Sequence, residues 1–326
     1  MRYNHLLLAC LLALAIAPGT WLRTEIPLEE PSFVEAIATV EVGKAQAGPL
    51  VLEHAWEITG SGPLFGGFSA LLSLPDDQFV AGSDAGAKLV FTRPDRRGTL
   101  PRLTRFGGDD DPDKNAVDLE SLTRDPETGW IWGGYEWDQA IRRFDPDYVP
   151  RGKVRPRAMA DWGSNSGAEA LIRLPDGNFL VIEEGSFNDD TVHHQALLFA
   201  GDPFESRPPE LLFVNVPEDY RPVDMTQLDD HRIAVLLRGF EFDLPPRFST
   251  AIAVMDIADI APGATVDLHL VAELGEDFPA DNYEGMAVTR DAGKTYLWLM
   301  SDDNFMQYQR TLLLKLLWQT REKARE

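Results

Sequence analysis

A motif that recurs along the chain constrains the fold more than any other feature of the sequence. Five segments share one plan: a polar residue, an alternating apolar stretch, a turn of Pro, Asp or Gly, and a second, more hydrophobic stretch. The segments follow one another at intervals of about 50 to 60 residues, the period of a propeller repeat. Their opening residues are Ser69, Glu120, Glu169, Asp224 and Glu284.

The repeat predicts an all-β protein, a β-propeller of four-stranded blades. The two stretches and their turn form a β-hairpin, and the rest of each interval has room for two more strands. Five blades can be counted, and a sixth, built from residues 33–60, stays open. We expect an N-terminal strand to complete the last blade and close the ring, because open sheet edges invite pairing with other chains. A β-sandwich or a solenoid is the alternative architecture.

The N-terminus reads as an export signal. The apolar run Leu6–Ala17 follows Met1-Arg2 and ends in the small residues of a cleavage site. This run is shorter than the roughly 20 residues of a membrane-spanning helix. We therefore expect a signal peptide at 1–17, a flexible segment at 18–32, a single propeller domain at 33–326, and a periplasmic or secreted protein. Later cleavage, an uncleaved anchor and lipidation at Cys10 are alternatives.

Composition excludes several classes of chemistry. Cys10 is the single cysteine and lies in the export signal, so a cysteine nucleophile and a thiolate metal site are excluded from the mature chain. The chain has 30 Lys and Arg against 53 Asp and Glu, a formal net charge of −23. Such a surface repels nucleic acid. We expect a monomer that binds a small molecule, with no nucleic-acid partner and no stable membrane insertion after signal cleavage.

Five motifs lie in order over residues 65–318: GGFSALLSLPD, VDLESL, GAEALIRLPDGNFLVIEE, NYEGMAV and MSDDNF…QRTLLLKL. Together they resemble the phytase-like family of secreted bacterial propellers, also described as "esterase-like activity of phytase". The resemblance implies a propeller fold, export, and esterase or phosphoesterase activity. The chain departs from the family pattern in SDAGAK, where an Arg is expected, in FSALLSL, where Ser-Gly is common, and in VDMTQL, which lacks the Glu-Gly pair.

The opening residues of the repeats predict a metal site. The innermost strand of each propeller blade lines the central channel, so equivalent positions meet at one rim although they are far apart in sequence. Carboxylates packed this closely repel one another, which raises their pKa values or recruits a cation. A donor set made only of oxygens suits Ca²⁺. The alternative is structural, with each carboxylate accepting backbone hydrogen bonds from the next blade. The predicted metal ligands are Glu120, Glu169, Asp224, Glu284, Asp84 and Asp302.

A second polar set ends the second strands, and strand reversal brings it to the same rim. It consists of Asp84, Glu136, Glu183, Glu184, Asp302 and Asp303. Arg238 stands where other repeats carry an acid, and Arg310 follows the last second strand. Either guanidinium could bind an anionic group or pair with neighbouring carboxylates. The predicted catalytic residues are Glu120, Glu169, Glu284, Arg238 and Arg310.

Two functions remain open on this sequence. One is an exported hydrolase of an ester or phosphoester, in which Ca²⁺ at the rim orients the substrate. The other is a non-catalytic periplasmic propeller that binds a ligand or a protein and holds calcium structurally. His193 and His194 either supply a general base or lie in a surface loop.

Overall fold

The regular secondary structure of the described chain is almost entirely β-strand. The computed structural model describes residues 31–106, 117–163, 166–186, 192–205, 207–241 and 247–319. The predicted signal peptide at 1–17 lies outside these residues. No helix in this part of the chain is long and apolar enough to span a membrane. Three strands come first: β1 (Phe33–Val40), β2 (Gln46–Ala47) and β3 (Leu50–Ser61).

Five sheets follow in chain order, and each begins with its innermost strand. Blade 1 contains β4 (Phe68–Leu74), β5 (Gln78–Ser83), β6 (Ala87–Thr92) and β7 (Arg102–Arg105). Blade 2 contains β8 (Leu119–Arg124), β9 (Ile131–Tyr135), β10 (Ala140–Phe144) and β11 (Pro150–Val154). Blade 3 contains β12 (Ala168–Arg173), β13 (Phe179–Ser186), β14 (His193–Phe199) and β15 (Glu210–Asn215).

The last two blades are less regular. Blade 4 begins with β16 (Tyr220–Gln227), β17 (Arg232–Glu241) and β18 (Arg247–Asp256). The chain then forms β19 (Thr265–Asp267), which pairs in parallel with β15 of blade 3, and returns as β20 (His269–Leu274) to complete blade 4. Blade 5 contains β21 (Tyr283–Asp291), β22 (Lys294–Ser301) and β23 (Thr311–Trp318).

The N-terminal strand β3 completes blade 5 and closes the ring. It pairs antiparallel with β23, from Leu50↔Trp318 to Ile58↔Thr311, and β1 adds a further strand outside it. The predicted closure is therefore confirmed. The segment 33–60, left open as a sixth blade, belongs to blade 5, so the propeller has five blades.

The hydrophobic core of the described residues consists of five large clusters, each between two neighbouring blades, and one small cluster around Ala85 and Val117. Between blades 5 and 1, for example, the ring of Trp298 stacks on Trp56 at 5.7 Å and meets Phe79 edge-on at 5.0 Å. Both faces of a blade's inner sheet are thus buried. This double burial explains why the second strand of each repeat is a near-continuous apolar run.

We expect the closing strands to contribute strongly to stability. Leu314 on β23 is fully buried opposite Ala55 of β3, so Leu314→Ala should lower the free energy of unfolding by about 2–5 kcal/mol. Leu270 on β20 is 42% exposed, and Leu270→Ala should change it by less than about 0.5 kcal/mol. Urea unfolding measures both. Equal losses would contradict this account of the ring closure.

Candidate functional site

A register shift near the start of each inner strand positions the candidate site. In four blades one residue of the inner strand has no partner on the second strand, as in a β-bulge. A bulge of this kind turns its side chain out of the regular alternation. In blade 4 the shift lies between Pro222 and Asp224. The five unpaired positions, which we name the first ring, are Ser69, Glu120, Glu169, Val223 and Glu284.

Asp224 therefore lies one position beyond the first ring. It pairs with Leu236 in the ladder, and its buried carboxylate accepts hydrogen bonds from the backbone N–H of Met225 (2.8 Å) and Met286 (2.6 Å). Desolvation raises the pKa of this carboxyl group well above its usual range, and the two N–H groups oppose that shift. The second bond joins blade 4 to blade 5. Asp224 thus makes the backbone hydrogen bonds expected of a structural carboxylate, and Val223 takes the ring position instead.

A second set of equivalent positions lies beside the first ring, where each second strand returns to the channel. The backbone N–H of Asp84, Glu136 and Asp302 donates to the carbonyl oxygen that precedes each inner strand. Arg238, which pairs with Arg221 across the β16–β17 hairpin, takes the same position in blade 4. These five positions, which we name the second ring, are Asp84, Glu136, Glu184, Arg238 and Asp302.

Carboxylates of the two rings, together with Asp118 beside them, form two groups that could hold a metal ion. One group is Asp118, Glu120 and Glu136, and the other is Glu136, Glu169 and Glu184. In each group one ligand oxygen per residue lies within 4.8 Å of the others. Glu136 belongs to both groups, so two ions placed there would share it.

Three residues of these groups, Asp118, Glu136 and Glu184, are absent from the predicted metal ligands. Glu136 and Glu184 hold the same repeat position as Asp84 and Asp302, which were predicted, so the signal was present in the repeat alignment. Asp118 precedes an inner strand, where blades 1 and 3 have glycine, and no repeat signal marks it.

Arg238 is the one cation among the ten ring positions, all of which the structure describes. Its guanidinium donates to Glu184 at 2.5 Å and to Glu284, and so joins the second strand of blade 3 to the inner strand of blade 5. Burial opposes its charge, but Glu284, Glu184 and Glu169 together raise its pKa above the usual value. Glu184 also pairs with Arg221 at 3.3 Å.

The remaining carboxylates carry more negative charge than this guanidinium balances. Burial raises the pKa of Glu120 well above its usual range, and the charges of Asp118 and Glu136 add to the effect. The pKa of Glu169 rises through burial and then through Glu184. The pKa of Asp302 rises in the same way through burial and then through Glu284. Such groups either take up protons or bind a cation.

The donor chemistry of the rings fits a calcium ion. Asn282 is fully buried and donates its amide Nδ2 to Glu284 at 2.9 Å. Its Oδ1 has no hydrogen-bond partner within the described ranges, so a neutral oxygen is available beside the carboxylates. Carboxylate and amide oxygens are the ligands that Ca²⁺ takes in proteins.

Two other residues considered in the sequence analysis, Arg310 and His194, lie outside the two rings. Arg310 is on the loop before β23, where its side chain is 42% exposed and its Nε lies 3.8 Å from a carboxylate oxygen of Asp281, outside both rings.

His194 is buried on β14, so the expectation of a surface-loop position is wrong for it. Its Nδ1 lies 3.1 Å from the carbonyl oxygen of Glu183, to which it can donate. Burial raises the pKa of the Glu183 carboxyl group to about 7.

The structural role of Asp224 has a direct test. Asp224→Ala leaves two buried N–H groups unpaired and should lower the free energy of unfolding by about 1–3 kcal/mol. It should leave any Ca²⁺-induced rise in melting temperature intact, because neither carboxylate group contains Asp224. Asp277→Ala, at an exposed position, is the control. Loss of the Ca²⁺ response with Asp224→Ala would return this residue to the metal site.

Stability should depend on pH through the buried acids. The folded pKa of Glu183 is about 7 against an ordinary 4.5, so the folded state holds more protons than the unfolded state between these values. The melting temperature of the metal-free protein should therefore fall as the pH rises through this window, and Glu183→Gln should make the fall smaller. Ca²⁺ should stabilise the protein more at about pH 7 than at about pH 5, because binding releases protons. Melting curves in EDTA and in Ca²⁺ measure both effects, and a metal-free melting temperature that rises over this range would contradict them.

Two solved structures resemble this chain at low sequence identity. Glutaminyl cyclase from Myxococcus xanthus is 11% identical, with 86% of this chain and 97% of that chain covered and a TM-score of 0.46. Hydrazine synthase from Kuenenia stuttgartiensis is 12% identical, with 73% and 77% covered and a TM-score of 0.36. Likenesses at this level carry no inference about function.

Comparison at the level of sequence families is more informative. No curated protein matches the chain. The family described as "Phytase-like: Esterase-like activity of phytase" matches residues 63–305, a range that contains every residue of the two rings. The chain therefore belongs to the phytase-like family.

Proposed function

We propose that the protein is an exported hydrolase that cleaves an ester or a phosphoester with the help of Ca²⁺ held at the channel end. The observation that carries this proposal is the pair of carboxylate groups sharing Glu136. Family membership agrees with it, since the family is described by an esterase-like activity. Export rests on the N-terminal sequence, in which an apolar run precedes small residues.

The carboxylates of the rings are the groups that would hold the ion. Glu136 would be shared by an ion held with Asp118 and Glu120 and an ion held with Glu169 and Glu184. A bound calcium ion supplies positive charge that polarises an ester carbonyl or a phosphoryl oxygen. It would also balance the charges that now raise the pKa values of Glu120 and Glu169.

Arg238 would hold carboxylates of the site in place. Its bonds to Glu184 and Glu284 orient two carboxylates from different blades. As the one cation of the ten ring positions, it would also stabilise negative charge that develops on a substrate. Arg310, paired with Asp281 outside the rings, is less suited to this role.

Exposed apolar side chains near the rings favour an organic substrate. Trp137 follows Glu136 directly and is 45% exposed, and Phe240, two residues after Arg238, is 54% exposed. Met306 and Tyr308, on the loop after Asp302, are 42% and 62% exposed. Single exposed apolar residues are common on protein surfaces, but these four follow second-ring positions in three blades. They offer contact area to the uncharged part of an ester.

The proposal predicts turnover that depends on calcium and on Glu136. The full chain should hydrolyse 4-nitrophenyl phosphate or a 4-nitrophenyl acyl ester in Ca²⁺ and lose this activity in EDTA. Glu136→Gln should reduce kcat/KM by about 100-fold or more, because it removes a ligand common to both groups. Glu276→Gln, at an exposed position, should leave it unchanged.

The alternative is a binding propeller with structural calcium, and the same experiment separates the two. A Ca²⁺-induced rise in melting temperature that Glu136→Gln abolishes, with no turnover of either ester class, would support the binding protein and reject the hydrolase. Activity that survives both EDTA and Glu136→Gln would reject the calcium site.

A further inference from the structure

A cavity of ≈ 670 Å³ lies beside the second ring, between blades 3 and 4. Arg238 lines it and also contacts Glu184 and Glu284, so the cavity and the rings share a wall. Its volume is within the range of small-molecule sites. The residues of the wall used below are His194, Tyr220, Arg221, Phe240 and Phe248.

One polar atom of a wall residue has no hydrogen-bond partner among the described residues. His194 is 1% exposed, and its Nε2 makes no hydrogen bond to any of the described residues. Since Nδ1 can donate to the carbonyl oxygen of Glu183, Nε2 is then the nitrogen that accepts. Buried polar atoms nearly always have a partner, and a donor entering from the cavity reaches Nε2 once the imidazole ring turns slightly, because the atom lies just behind the cavity surface.

Arg221 offers further hydrogen-bond donors to the same cavity. Its side chain is 57% exposed, and one nitrogen, Nη1, lies 3.3 Å from Glu184. The guanidinium has further N–H groups in a fixed fork, which suits a carboxylate or a phosphate. Asp219 and Glu241 also line the cavity, but both are exposed, where water and salt screen their charges.

Another part of the cavity wall is aromatic. Phe240 and Phe248 stand side by side with ring centroids 5.4 Å apart, and Tyr220 adds a third aromatic ring. Aromatic faces of this kind bind a ring or a chain by burial of apolar area. The cavity therefore combines a cation, a hydrogen-bond acceptor and an apolar surface.

We propose that this cavity binds a small organic anion, with its carboxylate or phosphate on Arg221, a hydroxyl group on Nε2 of His194, and its apolar part on Phe240 and Phe248. This proposal deepens the proposed function. It rests on that function in one respect, since it identifies the bound anion as part of the substrate. Binding itself requires no turnover and is measured without it.

Calorimetric titration of the full chain, in Ca²⁺ and in EDTA and against protein-free blanks, tests the proposal with matched probes. Mandelate carries a carboxylate, a hydroxyl and a phenyl ring; phenylacetate lacks the hydroxyl, and benzyl alcohol lacks the charge. The phosphonate analogue of mandelate distinguishes a phosphate from a carboxylate preference. We expect mandelate or its phosphonate to bind more tightly than phenylacetate, and benzyl alcohol to bind least.

Variants of Arg221 and His194 test which side chain makes each contact with the ligand. Arg221→Gln should weaken binding of the charged probes about tenfold or more. Arg151→Gln, which changes an arginine 50% exposed and paired with Asp145 on blade 2, should not. His194→Asn keeps a donor towards Glu183 and removes the acceptor, so it should reduce mandelate affinity to that of phenylacetate. His194→Gln, whose amide reaches the Nε2 position, should preserve part of the difference.

The outcomes are separable from those of the hydrolase test. No probe binding up to about 10 mM, equal binding of benzyl alcohol, or affinity unchanged in Arg221→Gln would overturn the cavity proposal. An unchanged mandelate preference in His194→Asn would overturn the contact with His194. Calcium-dependent hydrolysis without binding here would leave the proposed function standing, and binding without hydrolysis would leave the cavity and reject the enzyme.

Discussion

The pairing of β3 with β23 is the interaction on which the rest of the molecule depends. Each of the five large hydrophobic clusters lies between two blades, so no blade has a core of its own. The cluster between blades 5 and 1 includes Trp56 and Ile58 of β3 together with Trp298. A ladder between the two ends of the chain therefore covers the open edge of blade 5 and brings the first and last blades into contact.

The same closed ring creates an electrostatic problem at one end of the channel. Inner strands begin there and second strands return there, and the shifted residue near the start of each inner strand lies beside the end of the second strand. Seven of the ten ring positions are carboxylates and one is the guanidinium of Arg238. Burial and mutual repulsion then raise the pKa values of Glu120, Glu169 and Asp302. Concentrated charge that costs stability is typical of functional sites.

Sequence reasoning placed Glu120, Glu169 and Glu284 together because the repeat spacing maps directly onto equivalent blade positions. It failed for Asp224, because a register shift of one residue in β16 puts Val223 in the ring and nothing in the local composition marks that shift. It also passed over Glu136 as a ligand, although Glu136 occupies the same repeat position as Asp84. The burial of His194 was not visible either, because β14 is buried through contacts made across the sheet and with blade 4.

The sequence by itself determined the strand and turn pattern, the four-stranded repeat, the family and the acidic character, because these depend on local periodicity, turn residues and composition. The tertiary structure decided that there are five blades and not six, which polar residue of each repeat faces the rings, and where Arg238 and His194 meet in one cavity. These features depend on strand register and on contacts between residues far apart in the chain, and a one-residue shift in register is enough to change which side chain reaches the channel.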